Sequence, residues 1–320
     1  MVLREPKWYQ YVAVSLEGKG NVHWSESHTT GTGDNRHTET RYYSDNETYV
    51  DLLVVVWGNK QAPQPTKIDP GTFNFPFQVT VPPHCPPTFD TVTGKIQYRL
   101  FGIVSSQVKE YKIETPLVVS SLIDLNLQPN LQQPVRQSTV KRITTCCCFT
   151  AGEAEVTLKM PQSGFCIQRD RIPVTFECRN GSSQKITLRV EVAQGIVYNA
   201  RGHTRSGSET IGNYVHHIQA STSDVKSIEF ELPPTIRFGF TSRIITVAHS
   251  VRVWINHSLD LGAIFAGPPI SIPVVIGNVP LRGTAASQPS PQGPSSVQAC
   301  LLYTSPSPRD ATLSRMPSSA

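Results

Sequence analysis

The chain has 320 residues, 38% of them hydrophobic, so it is long enough for two domains and too apolar to be intrinsically disordered. Its net charge of +5 comes without a dense basic run interleaved with aromatic residues, which argues against a nucleic-acid-binding protein. The excess charge lies in residues 126–281, with 15 Lys and Arg against 10 Asp and Glu, and a surface of this kind can attract anionic lipid head groups or phosphorylated peptides.

The first clear strand signals lie between residues 48 and 100. Residues 48–57 (TYVDLLVVVW) are apolar on both faces in their second half, which predicts a central strand that is far too short to span a membrane. Residues 96–100 (IQYRL) alternate apolar and polar side chains, as expected of a strand with one buried face. The sequence therefore predicts a first β-rich domain over residues 1–125.

Residues 126–145 are polar and punctuated by proline, which predicts an interdomain linker. The next segment, residues 146–281, again alternates with a period of two. In residues 185–192 the apolar set is Ile186, Leu188, Val190 and Val192, and the polar set is Thr187, Arg189 and Glu191. Because so many one-sided strands need a covering layer, we expect an all-β chain of two tandem β-sandwich domains.

After Leu281 the composition changes to Ser, Pro, Gln and Gly. This composition cannot supply a core, so residues 282–320 are predicted to form a disordered tail. Within the tail, residues 300–320 (CLLYTSPSPRDATLSRMPSSA) look like translated sequencing-adapter sequence. We assign that last segment no function.

Seven cysteines without regular spacing argue against a secreted disulfide framework. The start of the chain has no apolar leader followed by a cleavage site, so we expect a cytosolic protein. Neighbouring residues of an extended chain point to opposite faces, so neither Cys146–Cys148 nor the pair His216 and His217 is predicted to bind a metal. Acylation of a connector cysteine and plain packing both remain open for Cys146–Cys148.

The sequence contains no nucleophile elbow, Walker loop, dinucleotide glycine fingerprint or HExxH motif. We therefore predict no enzyme activity, no catalytic residue and no cofactor. The candidate partner-binding residues are four cations that fall close together in the second domain and that would attract anions if they formed a patch. They are Arg169, Arg171, Lys185 and Arg189. We favour the alternative, in which these cations form a solvated sheet face, because charges on strands usually serve solubility and edge protection.

Five segments, in this order along the chain, carry a resemblance to a known family. They are LEGKGNVHW (16–24), the segment from GTFNFPFQVTVPP to GKIQYRL (71–100), SSLIDLNLQPNLQQPV (120–135) followed by Cys146–Cys148, GFCIQRDRIPVTFECRNGSS (164–183) and PPISIPVVIGNVPL (268–281). Together they resemble the arrestin family, in its α-arrestin or arrestin domain-containing branch, over about residues 9–281.

The resemblance implies two arrestin-type, immunoglobulin-like β-sandwich domains. It also implies a cytosolic adaptor or scaffold that binds cytoplasmic segments of membrane receptors or transporters. Such an adaptor links its cargo to endocytosis, protein transport and ubiquitination, with recruitment to the plasma membrane or endosomes. The alternatives are a structural sorting subunit of a retromer-like coat and a redox-linked metabolic regulator.

The sequence departs from the family in three places. The family's opening strands have no counterpart, so we expect the first strands of the first domain to be missing. The family's Gly-Tyr-x-Pro-Gly-Glu turn corresponds to residues 164–169 (GFCIQR), without the proline and the second glycine, so we expect a reshaped turn. No PPxY motif for the WW domains of HECT-type ubiquitin ligases occurs in the chain.

Overall fold

A computed structural model describes residues 1–31, 36–106, 108–145, 149–257 and 269–282. These residues form strands and two short 3₁₀ turns, and no α-helix occurs among them. Residues Met1–Arg282 belong to one compact unit. The predicted all-β fold is confirmed. The predictions for Cys146–Cys148 and for the tail after Arg282 lie outside the described residues.

The N-terminal half is built on one five-stranded sheet, in the order β4-β3-β8-β7, with β9 also paired to β8. Two short ribbons, β1-β6 and β2-β5, lie beside it. The strands are β1 Val2–Leu3, β2 Lys7–Tyr9, β3 Tyr11–Thr30, β4 His37–Gly58, β5 Thr66–Ile68, β6 Gly71–Thr72, β7 Phe89–Asp90, β8 Gly94–Ser105 and β9 Glu110–Leu117.

The period of two in β3 and β8 places one set of side chains in a core. Leu16 on β3 and Ile96 and Tyr98 on β8 are almost fully buried. Gly18 faces the Tyr98 ring, and a Cβ atom at Gly18 would lie 2.4 Å from it. Only glycine therefore lets the large tyrosine ring pack flat against the neighbouring strand.

The prediction of a central strand at residues 48–57 is wrong. This segment belongs to β4, which is an outer strand of its sheet in the described part of the chain. Leu52, Leu53 and Val55 are each 40–42% exposed. Apolar residues on both faces do not reveal whether a second strand pairs along an edge, and here residues 51–57 are intermediate or exposed on both faces.

The C-terminal half contains two sheets that share one apolar core. One sheet has the order β10-β11-β13-β16, and the other has the order β12-β19-β18-β14-β15, with β17 paired to β18. The strands are β10 Val135–Thr145, β11 Phe149–Met160, β12 Gly164–Cys166, β13 Arg171–Asn180, β14 Ile186–Ala200, β15 His203–Ile218, β16 Thr222–Glu231, β17 Phe240–Thr241, β18 Ile245–His257 and β19 Ile270–Gly277.

The predicted apolar set of β14 faces this core, since Ile186, Leu188, Val190 and Val192 are fully buried. One member of the predicted polar set does not face water. Glu191 is only 6% exposed. Trp254 of β18 donates a 3.2 Å hydrogen bond to its carboxylate, and Arg189 forms a 3.4 Å ion pair with it. A buried carboxylate is tolerated when such donors surround it.

Residues 126–145 were predicted to be a linker, but they contain regular structure. Two 3₁₀ turns, Leu125–Leu127 and Pro129–Gln132, are followed by strand β10. β10 pairs with β11 along its whole length. An outer strand can form with few apolar residues, and Ile143 is the one fully buried side chain of β10 among those described.

The turn at residues 166–170 shows how the family's proline and glycine are replaced. The carboxylate of Asp170 accepts a 2.7 Å hydrogen bond from the backbone N–H of Cys166, and the N–H of Asp170 donates back to the carbonyl of Cys166. Gln168 has φ = 63°, in the left-handed region that favours glycine. The turn is therefore closed by hydrogen bonds while one residue remains in a strained conformation.

A second apolar cluster, here called the junction core, joins the two halves. The N-terminal half contributes Leu16, Val22, Trp24, Val50, Phe89, Ile96 and Tyr98, and the C-terminal half contributes Ile196, Tyr198, Ala200, Ile244, Ile245 and Val247. Gly94 allows the close approach, because a Cβ atom there would lie 2.9 Å from both Tyr198 and Ile245. The halves are therefore packed against each other through side chains and not only joined by a connector.

We expect Ile244→Ala to lower the free energy of unfolding by about 2–5 kcal/mol, because it leaves a cavity in the junction core. Ile244 is fully buried, whereas the control Val225→Ala removes a side chain that is 61% exposed and should cost less than about 1 kcal/mol. Urea denaturation followed by fluorescence and circular dichroism measures both. Two separate transitions in the wild-type protein would contradict a core shared by the two halves.

We expect Gln168→Gly to raise the free energy of unfolding by about 0.5–1 kcal/mol. Glycine removes a left-handed penalty of about 1–2 kcal/mol, and its greater freedom in the unfolded chain offsets part of this gain. The matched control is Gln137→Gly in β10, which should lower stability by about 0.5–1 kcal/mol. If thermal denaturation finds that both glycine variants lose stability, the turn is not strained.

Candidate partner-binding surface

The four cations predicted as a patch occupy different parts of the C-terminal half. Arg169 lies in the turn before β13 and Arg171 is the first residue of β13, whereas Lys185 precedes β14 and Arg189 lies within β14 on the other sheet. β13 separates the two pairs, and its ten residues span about 30 Å. The structure therefore brings Arg169 near Arg171 and Lys185 near Arg189, but it does not bring the four together.

Carboxylates lie beside three of these cations. Arg171 forms ion pairs of 2.6 Å with Glu231 and 3.7 Å with Glu229. Sequence reasoning missed both glutamates, because they lie far along the chain on β16, the strand that pairs with β13. Arg169 lies 3.8 Å from Asp170, and Arg189 pairs with Glu191. Lys185 is exposed. Binding of a partner by these residues remains a prediction.

The surface of the domain junction carries a fork-shaped ion pair between the halves. The guanidinium of Arg243 donates to both carboxylate oxygens of Asp45 on β4, at 2.7 and 3.3 Å. The backbone N–H of Arg201, at the tip of the β14-β15 hairpin, donates to the same carboxylate at 3.3 Å. Asp45 thus fixes two separate loops of the C-terminal half.

These donors favour the ionised form of Asp45. The hydrogen bond from Arg243 is the largest influence, followed by the backbone N–H of Asn46, and together they lower the pKa of Asp45 to about 2. Because Asp45 lies at the protein surface, water and salt screen the pair. Its main effect is therefore on the geometry of the junction.

Two hydroxyl contacts lie beside the junction core. Tyr49 donates a 3.1 Å hydrogen bond to Ser242, and burial raises the pKa of Tyr49. Tyr198 and Thr91 share a 2.8 Å hydrogen bond. The ring of Tyr43 on β4 lies 4.6 Å from the ring of His203 on β15. The two long hairpins, β3-β4 and β14-β15, are thus held side by side.

The connector between the halves is fastened to the end of β19. Asn126 donates to the carbonyl of Pro280 at 2.9 Å and accepts from the backbone N–H of Arg282 at 2.7 Å. Asn278 accepts from the N–H of Ile123 at 2.8 Å. The Asp124 carboxylate caps the turn by accepting from the N–H of Asn126, which lowers the pKa of Asp124. Residues 124–126 (DLN) therefore hold the connector against the end of β19.

A small cleft of about 190 Å³ lies between the halves on the surface of the junction. It is below the roughly 300–1,000 Å³ typical of small-molecule and cofactor sites, and its size suits a single large side chain. Its lining includes Phe89, Val118, Ile236, Arg237, Phe238 and Phe240.

Thiol and imidazole groups are placed in ordinary structural surroundings. Burial raises the pKa of Cys85 and of Cys166, and it raises that of Cys178 to about 12, so these thiols stay protonated. His216 is partly buried and bonds Asp224 at 2.6 Å, while His217 is exposed and bonds Thr187 at 3.0 Å. The two histidines point to opposite faces, as predicted.

Among the described residues, no group of three or more His, Cys, Asp or Glu side chains is arranged to hold a metal ion. The same described ranges contain no helix long and apolar enough to cross a membrane.

Comparison with known proteins agrees with this architecture. Residues 1–126 match the family model "Arrestin (or S-antigen), N-terminal domain", and residues 150–281 match "Arrestin (or S-antigen), C-terminal domain". The boundaries proposed from sequence, 1–125 and 146–281, remain a proposal.

Three curated relatives are similar to the chain. Arrestin domain-containing protein 17 of Caenorhabditis elegans is 24% identical over 297 residues, which cover 87% of this chain and 64% of the relative. Arrestin domain-containing protein 1 of Rattus norvegicus is 23% identical over 246 residues, or 75% of this chain and 54% of the relative. Arrestin domain-containing protein B of Dictyostelium discoideum is 23% identical over 219 residues, or 65% and 33%.

The chain thus spans less than two thirds of the length of these curated relatives. The matching family models nevertheless cover both halves of the structure, in the order in which the two sets of strands occur. The chain belongs to the arrestin family, in its arrestin domain-containing (α-arrestin) branch.

Proposed function

We propose that this chain is the arrestin-fold part of an adaptor that binds cytoplasmic segments of membrane receptors or transporters. The adaptor couples this cargo to endocytosis, protein transport and ubiquitination. It works in the cytoplasm and is recruited to the plasma membrane or endosomes. Membership of an adaptor family supports the proposal, as does a surface with polar hairpins and a cleft of side-chain size.

The observation that carries the proposal is the junction core together with its polar contacts. Because Tyr198 and Ile244 pack among residues of the N-terminal half, the two halves present one continuous surface of fixed geometry. A preorganised surface loses less entropy when it binds a flexible segment. Such a surface suits recognition of a partner.

Recruitment of a HECT-type ligase through WW domains would need a PPxY motif, and this sequence contains none. Of the two alternatives, a redox-linked regulator needs a reactive thiol, and among the described cysteines burial raises the pKa of Cys85, Cys166 and Cys178.

The proposed function is tested by depleting the protein from its own cells and measuring the internalisation of surface-biotinylated receptors and transporters. We expect a subset of them to be retained at the surface, and re-expression of the wild-type chain to restore their uptake. Unchanged internalisation of every surface protein would contradict the adaptor. Stoichiometric co-purification in a stable coat complex would support the sorting-subunit alternative instead.

The fixed junction predicts a pH dependence for Asp45→Asn. The pKa of Asp45 is about 2 in the folded protein and about 3.9 in an unfolded chain, so ionised Asp45 stabilises the fold above about pH 4. We expect Asp45→Asn to be less stable than the wild type at pH 7, and the difference to disappear as the pH falls through about 2. Urea denaturation at a series of pH values measures this difference.

The control for this effect is a double-mutant cycle with Arg243→Gln, which removes the other half of the ion pair. The two substitutions should be non-additive, because each breaks the same interaction. Additive effects, or a stability difference that is undiminished at pH 2, would show that Asp45 does not act through Arg243.

A further inference from the structure

We propose that the outer edge of β10 (Val135–Thr145) is a docking site for an extended acidic segment of a partner protein, which adds to the sheet as a further strand. This inference rests on the proposed function and specifies the chemistry of one segment that the adaptor binds. It is carried by the position of β10 in its sheet and by the charges along it.

β10 is the outermost strand of its sheet, with β11 on one side. Among the described residues, β10 pairs with β11 and with no other strand. No backbone hydrogen bond joins residues 135–145 to a loop or turn in the same described ranges. Within the described ranges, the outer row of N–H and C=O groups of β10 therefore has no backbone partner, and an unpaired row of this kind is the basis of strand addition.

The charge of this segment has one sign. Between Asp124 and Glu153 the sequence contains Arg136, Lys141 and Arg142 and no acidic residue. Arg136 and Arg142 are six residues apart in a strand, so they lie on the same face of the sheet, and both are exposed. The side chain of Lys141 donates to the carbonyl of Ile255 in the facing sheet. Two cations thus flank the outer face of the strand.

Nearby carboxylates leave these cations accessible. Arg142 lies 3.9 Å from Glu153, and the two side chains are 68% and 59% exposed. An exposed pair at this distance contributes little and can be exchanged for a better one. No ion pair of Arg136 occurs within the part of the chain that the structure describes. An incoming carboxylate therefore meets cations that are free to turn towards it.

The same face offers an apolar contact between the cations. Val140 is 58% exposed, and it lies two residues before Arg142 on that face. Ser138, the other intervening residue, bonds Thr157 of β11 at 2.8 Å. The strand thus presents cation, hydroxyl, valine and cation along one face, which defines a pattern for a complementary segment.

The charges also disfavour a second copy of this chain as the occupant. If two β10 strands paired in antiparallel fashion around Thr139, Arg136 of each copy would lie opposite Arg142 of the other. Like charges directly opposite one another destabilise a strand pair. An acidic segment would instead place a carboxylate opposite Arg136 and another opposite Arg142, where a second copy would place an arginine.

An antiparallel segment that fits this face has Asp or Glu at its first and seventh positions, opposite Arg142 and Arg136. It has a β-branched or apolar residue at its third position, opposite Val140. A parallel segment would need the apolar residue at its fifth position. The position of this residue therefore distinguishes the two directions of binding.

The test uses the full chain and a fluorescein-labelled nine-residue peptide with Glu at positions 1 and 7, Val at position 3 and Thr elsewhere. Fluorescence anisotropy measures its dissociation constant. We expect the double variant R136E/R142E to bind about tenfold more weakly, because it loses two exposed ion pairs with the peptide. The control variant Arg205→Glu, an exposed cation on β15, should stay within about twofold of the wild type.

Two further peptides separate strand addition from simple attraction of charge. Methylation of alternate backbone nitrogens keeps the charges but blocks the hydrogen bonds of one edge, so it should weaken binding by about tenfold or more. A peptide with Lys at positions 1 and 7 should bind R136E/R142E more tightly than it binds the wild type. This rescue would not occur if the variant had merely lost its fold.

The outcomes are distinct. If N-methylation has no effect, the segment is held by charge alone and strand addition is wrong. The site is not on β10 if Arg205→Glu loses as much affinity as R136E/R142E. The same conclusion follows if R136E/R142E binds the Lys peptide no more tightly than the wild type does. If R136E/R142E restores cargo internalisation in depleted cells as fully as the wild type does, the adaptor function stands and β10 is not where the adaptor binds its cargo.

Discussion

The packing of Tyr198, Ile244 and Ile245 into the N-terminal half is the interaction on which the rest of the structure depends. Burial of apolar area contributes about 25 cal/mol per Å², and several large side chains are removed from water here. The ion pair between Asp45 and Arg243 beside the junction core is exposed, so it contributes less to the stability of the junction. The junction core therefore holds the two halves together, and the ion pair between Asp45 and Arg243 helps to fix their relative orientation.

The C-terminal half could be predicted well from the sequence, because a period of two with β-branched residues determines which face of a strand is buried. Residues 186–192 illustrate this, since their alternating apolar side chains all reach the core. The order of strands within a sheet is a different property. It depends on contacts distant in the chain, which explains why residues 48–57 form an outer strand and why β10 replaces a predicted linker.

Functional residues were harder to predict than the fold. The cations at 169, 171, 185 and 189 are close in the sequence, but the first pair lies at the start of β13 and the second pair at the start of β14, in the other sheet. Asp45 and Arg243 are 198 residues apart, and no local pattern relates them. By contrast, the absence of acidic residues between Asp124 and Glu153 is visible in the sequence. Only the structure places this segment at the edge of a sheet, where its cations flank an outer strand.

The clamp between Asn126 and the end of β19 has a consequence for how the molecule can change shape. With the connector tied to Pro280 and Arg282, and with side chains interlocked across the junction, the connector has little freedom to act as a hinge. The motion compatible with these contacts is shear, in which packed surfaces slide by small amounts and side chains change rotamer. A binding event on one half would then reach the other as a sideways displacement and not as a wide opening.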